Sequence, residues 1–114
     1  MAIFYSGPLQ AYAYEAIAVD DTVGGKAFTA ATYDLVLTAN GVTTPRRPKE
    51  AVVTVEDQNL RWTVDGTAPT TAVGHLAQPY DTIVIDGYEN IKKFRAIRST
   101  GSSSAIKVTY YRHD

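Results

Sequence analysis

The predicted fold class follows from the stretch AVVTVEDQNLRWTVD, residues 51–65. In its first part Val53 and Val55 alternate with polar residues, and from Leu60 to Val64 every second residue is again apolar. This period of two is typical of strands that bury one face and expose the other. The polar segment DQN separates the two runs, so the sequence predicts that they form a hairpin.

Similar patterns on both sides of this stretch predict further strands, at residues 28–38, 80–85, 94–98 and 105–111. Within 94–98 the apolar positions change face between Ala96 and Ile97, which suggests a β-bulge. In the last strand Ile106, Val108 and Tyr110 are expected to face the same way.

Two segments carry weaker signals. Residues 9–19 fit both a helical and an extended period, and their alanine content slightly favours a helix. The segment TTPRRPK, residues 43–49, predicts an irregular loop because its prolines fix φ and lack an amide hydrogen.

Turn residues separate the predicted strands about every ten residues. An aspartate side chain accepts backbone hydrogen bonds, a following glycine supplies positive φ, and a proline restricts the returning chain. The structural turn positions are Asp65, Gly66, Pro69, Asp86 and Gly87. This spacing predicts an all-β fold, a two-sheet antiparallel sandwich of jelly-roll or immunoglobulin-like type. We expect one domain, residues 1–114, with an N-terminal arm over residues 1–14.

Composition excludes several classes of function. The 114-residue chain has 11 basic and 12 acidic residues, so its net charge is −1 and it lacks the basic excess of nucleic-acid-binding proteins. The chain contains no cysteine, which excludes disulfides and thiol chemistry. No apolar run approaches about 18 residues, so we expect no membrane partner.

Candidate catalytic and metal-binding residues are few. His75 and His113 are the only histidines and cannot complete a zinc site without further ligands. We interpret His75 as a turn residue. The aspartates lie at predicted element ends, where turn chemistry explains them, although calcium bound by turn oxygens stays open as a minor alternative. We therefore expect a non-enzymatic protein without a cofactor or a metal site.

Two segments are candidate partner contacts. The N-terminal segment is rich in apolar and aromatic residues, namely Ile3, Phe4, Tyr5, Leu9, Tyr12 and Tyr14. Such a segment has to be buried in its own core or in a neighbouring subunit, and both alternatives stay open. The basic segment contributes Arg46, Arg47 and Lys49, which could dock on an acidic partner, although a solvated loop is the simpler interpretation.

A pattern of strand and turn residues spread over about residues 28–112 resembles a family of small structural proteins of tailed bacteriophages. The matching segments are residues 51–56, 60–70, 73–75, 81–87, 90–91, 94–98 and 108–112. The segment DGTAPT, residues 65–70, also resembles a turn of immunoglobulin-like modules attached to carbohydrate-active enzymes, which keeps a sugar-binding module as an alternative.

The phage resemblance implies a virion structural protein, in the first place a decoration or cement protein that bridges capsomers on the capsid surface. It implies the major capsid protein or other virion proteins as partners and a homo-oligomer, with a trimer favoured. A head–tail or tail accessory protein is the alternative role within the same particle. Assembly in the reducing cytoplasm of a bacterial host agrees with the absence of cysteine.

Overall fold

The structure is a computed structural model that describes residues 9–99 and 101–113, apart from the side chains of Leu37, Pro45 and Arg46. It is mostly β, with 50% of residues in strands and 10% in helices. The described elements are β1 (Leu9–Val19), α1 (Ala30–Tyr33), β2 (Leu35–Ala39), β3 (Val42–Arg46), β4 (Glu50–Val55), β5 (Leu60–Thr63), β6 (His75–Ala77), β7 (Thr82–Asp86), α2 (Tyr88–Lys93), β8 (Arg95–Arg98) and β9 (Ser104–His113).

The strands form three antiparallel sheets. The largest has the order β1-β9-β4-β7, the second has the order β6-β5-β8, and β2 pairs with β3 in a two-stranded ribbon. The predicted hairpin of residues 51–65 is therefore wrong, because β4 and β5 lie in different sheets. Both strands bury their apolar face in one core, and residues 56–59 carry the chain from one sheet to the other. Alternation identifies a buried face, but it does not identify the strand that pairs with it.

One hydrophobic core joins the two larger sheets. Val53 and Val108 contribute from the four-stranded sheet, and Leu60 and Ala96 contribute from the three-stranded sheet. The common face predicted for Ile106, Val108 and Tyr110 is confirmed, since all three are at most 1% exposed and alternate with less buried residues. Phe28 stacks on Phe94 with ring centroids 4.2 Å apart, and its edge contacts the Tyr110 ring at 5.6 Å.

The weak preference for a helix at residues 9–19 is wrong, because this segment forms the eleven-residue strand β1. It pairs with β9 from Leu9–His113 to Val19–Ser104, with a bulge between Ala11 and Ala13. The long hydrogen-bonded partner outweighs the small intrinsic preference of alanine for helix, since tertiary context routinely overrides such propensities.

Residues 43–49 are also more ordered than predicted, because Val42–Arg46 forms β3. Asn40 and Gly41 both have positive φ, at 53° and 77°, which is the geometry of a two-residue hairpin turn. The proline within β3 is tolerated because this strand pairs on one side only among the described residues. Conversely, Tyr33 lies in the helical turn α1, so the strand predicted from residue 28 begins only at Leu35.

The bulge predicted between Ala96 and Ile97 is absent from the register of β8. Residues Arg95 to Arg98 pair in unbroken sequence with Thr63 to Leu60. Ala96 is buried in the core, whereas Ile97 is 7% exposed and lies outside the core cluster. Two consecutive apolar residues, here Ala96 and Ile97, can therefore arise from burial of both faces of a strand as well as from a bulge.

The turn positions lie in the connection between β5 and β6 and at the junction of β7 with α2. Asp65 Oδ1 accepts a hydrogen bond from the Thr67 amide at 3.0 Å, and Gly66 has φ +93°. Pro69 is fully buried. Gly87 has φ +94° and directly precedes α2, and its amide donates to the Lys49 carbonyl at 2.8 Å.

At Gly25 the chain packs closely against β8, at the edge of the three-stranded sheet. Lys26 and Ala96 exchange two backbone hydrogen bonds, of 2.7 and 3.0 Å, next to this glycine. A Cβ atom on Gly25 would lie 2.9 Å from Pro69 Cγ and 3.1 Å from the Ala96 carbonyl oxygen. The neighbouring Gly24 has nearly the same φ, +89° against +83°, but no atom within 4 Å of that position.

We expect Gly25→Ala to destabilise the fold by about 2 kcal/mol more than Gly24→Ala. Both variants carry the strain of a side chain at positive φ, about 1 kcal/mol, and only Gly25→Ala adds overpacking against buried backbone. Urea denaturation of the two variants measures the difference. Equal free energies of unfolding would show that the close packing at Gly25 does not contribute.

Candidate interaction site

The β2–β3 ribbon exposes most of its described side chains. Val36 on one face and Val42 on the other are 60% and 63% exposed. Thr38 and Thr43 lie opposite each other and are exposed as well. An isolated two-stranded ribbon is only marginally stable in water, and exposed valines on both faces add apolar surface. The ribbon therefore has the properties of an element that gains stability from a partner.

Tyr88, the first residue of α2, contacts the residues at both ends of the ribbon, Asp34 before β2 and Arg47 after β3. We refer to these two ends as the legs of the ribbon and to the region around Tyr88 as its base. The Tyr88 hydroxyl donates a 2.7 Å hydrogen bond to Oδ2 of Asp34, the residue before β2. Its ring lies 4.9 Å from Cζ of Arg47, the residue after β3, in a cation–π contact. Lys92 Nζ lies 5.2 Å from the same ring. One side chain thus connects the start and the end of the ribbon to the body of the protein.

Three further tyrosines pack beneath Tyr88, and we refer to Tyr12, Tyr33, Tyr88 and Tyr110 as the tyrosine cluster. The Tyr33 ring meets the Tyr88 ring edge-on at 6.4 Å and the Tyr110 ring at 5.5 Å. The Tyr12 hydroxyl donates to the Tyr33 carbonyl. The Tyr110 hydroxyl donates to Glu15 Oε2, which also accepts from the Thr29 amide at 3.1 Å. The cluster links β1 and β9 to the ribbon base.

The environment keeps these hydroxyls protonated. Burial, together with the negative charge of Asp34, raises the pKa of Tyr12 to about 12. Burial and the hydrogen bond to Glu15 raise the pKa of Tyr110 well above its usual range. The hydrogen bond to Asp34 and then burial raise the pKa of Tyr88. At neutral pH the hydroxyls of Tyr12, Tyr88 and Tyr110 therefore keep donating to their partners within the protein.

The structure places the predicted partner-contact residues in different environments. Ile3, Phe4 and Tyr5 lie outside the described residues. Tyr12 points toward the core at the bulge of β1, whereas Tyr14 is 60% exposed. Leu9, at the start of β1, is half-buried. Residues 9–14 of the expected arm therefore belong to the four-stranded sheet.

The basic segment joins the ribbon base. Arg46 ends β3, and Arg47 stacks on Tyr88. Lys49 is exposed, and its amide donates to the Tyr111 carbonyl at 2.7 Å. The structure thus brings Arg47 and Tyr12, from the two predicted contact segments, to the surroundings of Tyr88.

Sequence reasoning did not identify Tyr88, Asp34 or the helix α2 that positions the tyrosine. A signal for the helix was present, since a glycine precedes it, Glu89 lies in its first turn and Lys92 and Lys93 lie in its last. The contact with Asp34 spans 54 residues of sequence, and no local pattern indicates it.

A concave region lies beside β5 and β6. Asp65, Thr67 and His75 help to line a shallow groove of about 400 Å³. His75 begins β6, so its interpretation as a turn residue is wrong. Its ring lies 4.9 Å from that of Trp62, and Trp62 packs against the core. Edge-strand pairing, and not a turn, fixes the position of this histidine.

Among the described residues, no three potential ligands from His, Asp and Glu lie close enough to hold a metal ion. Within the same part of the chain no helix has the length and apolar character needed to span a membrane. Comparison with family models, curated proteins and solved structures gives no match to this chain. The proposed function consequently depends on the resemblance and on the geometry described above.

We expect Tyr88→Ala to loosen the ribbon selectively, because it removes both the Asp34 hydrogen bond and the surface under Arg47. Hydrogen exchange of the β2 and β3 amides should accelerate at least about tenfold relative to the amides of β9. Tyr88→Phe, which keeps the ring, should have a smaller effect. Tyr80→Ala, at a tyrosine that is 88% exposed, is the control. A uniform change in all strands would contradict a local role.

We expect stability to fall between about pH 10 and 12. The pKa of Tyr12 is raised to about 12 in the folded protein, against about 10 when unfolded, so the unfolded chain releases its proton first. The stabilisation is complete below pH 10 and is lost as the pH rises through the folded pKa. Urea denaturation should show a shallower decline for Tyr12→Phe. Identical declines for the variant and the unmodified protein would refute this assignment.

Proposed function

We propose that this protein is a non-enzymatic structural component of a tailed-bacteriophage virion, and that it acts as a capsid decoration protein that bridges capsomers. The observation that carries the proposal is the ribbon, a projecting element with exposed valines on both faces and a base fixed by Tyr88. A protein that works by attachment needs a stable core and an apolar projection that a neighbour can cover. The resemblance of residues 28–112 to phage structural proteins supplies the class of partner.

We further propose that the two larger sheets form a jelly-roll sandwich, and the order of strand pairing supports this type. Eight extended segments can be counted when the bridge at Lys26 is included and the ribbon is set aside. The first pairs with the last, β1 with β9, and the second with the seventh, Lys26 with β8. The third pairs with the sixth, β4 with β7, and the fourth with the fifth, β5 with β6. This nested pairing is what results when one long antiparallel hairpin is rolled up.

In that topology the ribbon is an insertion between the second and third segments. It lengthens a connection without disturbing any pair of the roll, since β2 and β3 pair only with each other among the described strands. Viral capsid proteins and lectins both use jelly rolls, so the fold by itself does not choose between a virion role and sugar binding.

The proposed mechanism is burial of apolar area between neighbouring capsomers. At about 25 cal/mol per Å², roughly 1,000 Å² of mostly apolar contact gives a large gross stabilisation, which ordering costs offset in part. Attachment of many copies to one shell then multiplies the effect by avidity. The ribbon, Arg47 and the N-terminal segment are the contact regions that we assign to this role.

Two alternatives predict different observations. A head–tail or tail accessory protein would be present in about a dozen copies or fewer per particle, whereas decoration requires hundreds. A carbohydrate-binding module needs an exposed aromatic platform, and Trp62 instead packs against Phe94, with ring centroids 6.2 Å apart. The groove that Asp65 and His75 help to line is the only feature near Trp62 in the described chain that favours this second alternative.

We expect the purified protein to sediment with empty capsids of its own phage at a stoichiometry of hundreds per shell. Val36→Lys combined with Val42→Lys should reduce the bound amount at least about tenfold, because lysine in an apolar contact leaves a charge without water. Val23→Lys is the matched control, since Val23 is 96% exposed and lies outside the ribbon. Unchanged binding of the double variant, or a stoichiometry near twelve, would overturn the decoration role.

A further inference from the structure

The outer face of the four-stranded sheet forms a regular grid, because the registers of its three strand pairs align the same residues. We define this outer face by three rows that cross the strands in the order β1-β9-β4-β7. The rows are Ala11, Tyr111, Glu50 and Asp86; Tyr14, Thr109, Val52 and Val84; and Ala16, Lys107, Thr54 and Thr82. The residues between them on the same strands point to the core.

The middle row is uncharged and accessible. Tyr14 and Val84 at its ends are 60% and 54% exposed, and Val52 and Thr109 between them are half-buried. None of these four side chains belongs to the buried core. A largely apolar row across the full width of a sheet is surface that a second sheet could cover.

The charges of the outer face lie on opposite sides of that row. Glu50 and Asp86 are direct neighbours in the first row, and Lys107 lies in the third. Thr54, the neighbour of Lys107 on β4, lies four residues from Glu50, which is about 13 Å along the strand. None of Glu50, Asp86 and Lys107 takes part in the ion pairs found among the described residues. Burial and the neighbouring Asp86 raise the pKa of Glu50.

A two-fold rotation about an axis along the middle row makes this pattern self-complementary. After this rotation the third row of one copy, which holds Lys107, lies over the first row of the other copy, which holds Glu50 and Asp86. The two middle rows lie over each other. A two-fold axis parallel to the strands would instead place the first row of one copy over the first row of the other, so that Glu50 and Asp86 of both copies lie together. Opposite charges therefore meet in only one of the two face-to-face arrangements.

We infer that the outer face is a dimer interface, in which two copies of this chain stack their four-stranded sheets with Lys107 of each over Tyr111 of the other, one strand away from Glu50. Stacked sheets lie about 10 Å apart, a gap that the long side chains of Lys107 and Glu50 can bridge. The inference uses no observation from the virion role, and it leaves the ribbon free to contact a different partner. It assigns Tyr14 to the dimer contact instead of the capsid contact. It differs from the trimer that the phage resemblance implies.

The size of the grid indicates the strength of the contact. Four strands at about 4.8 Å and three rows at about 6.8 Å cover roughly 400 Å² per copy. This area is at the low end of specific interfaces, so we expect a dimer in equilibrium with monomer at micromolar concentrations.

Reversal of the charges tests the inference. Sedimentation velocity from about 1 µM to 1 mM should show a concentration-dependent dimer of the unmodified protein. Lys107→Glu and Glu50→Lys should each weaken dimerisation at least about tenfold, because each places like charges together, and the double variant should restore it to within about threefold. Glu89→Lys, at an exposed residue of α2, is the charge control. A monomer throughout, a trimer, or a double variant as weak as the singles would overturn the inference.

A second measurement uses the absence of cysteine from the chain. The proposed axis runs along the middle row, so Thr109 of the two copies lie opposite each other, whereas Thr82 lies over the first row of the other copy. A short bismaleimide should cross-link Thr109→Cys to itself efficiently and Thr82→Cys poorly. Equal yields, or a higher yield for Thr82→Cys, would contradict this axis. Neither measurement uses capsids, so the dimer and the virion role fail or succeed separately.

Discussion

The pairing of β9 with both β1 and β4 is the constraint on which the rest of the structure depends. The last strand lies between the first and the fourth, so its backbone ladders join both ends of the described chain in one sheet. Its inward face carries Val108 and Tyr110, both completely buried. Since Tyr110 contacts Phe28, Tyr33 and Glu15, the same strand also organises the aromatic packing under the ribbon.

The sequence predicted the faces of strands better than their partners. Alternation correctly indicated the buried sides of β4 and β9, because every second residue of a strand faces the core and is apolar there. It did not reveal that β4 and β5 lie in different sheets, since pairing depends on contacts with distant strands. For β1 the intrinsic preference of alanine pointed the other way, and the ladder with β9 outweighed it.

The candidate interaction site was predictable only in part. The basic segment after β3 was recognised from its charge, and Arg47 does lie at the ribbon base. The ribbon itself was obscured by the proline in β3, although Asn40-Gly41 is a strong hairpin signal. The Tyr88–Asp34 bond joins residues that are distant in sequence and have no pattern in common, so only the folded arrangement reveals it.

The attachment of both ribbon legs to one tyrosine has a mechanical consequence. Tension applied at the tip of the ribbon divides between the two legs and reaches Tyr88 through Asp34 and Arg47 together. The two contacts are loaded in parallel, so neither has to break before the other begins to resist. From Tyr88 the load passes through α2 into the neighbouring strand β7, which is hydrogen-bonded to β4. A projection built in this way resists being peeled from the body of the protein by one leg at a time.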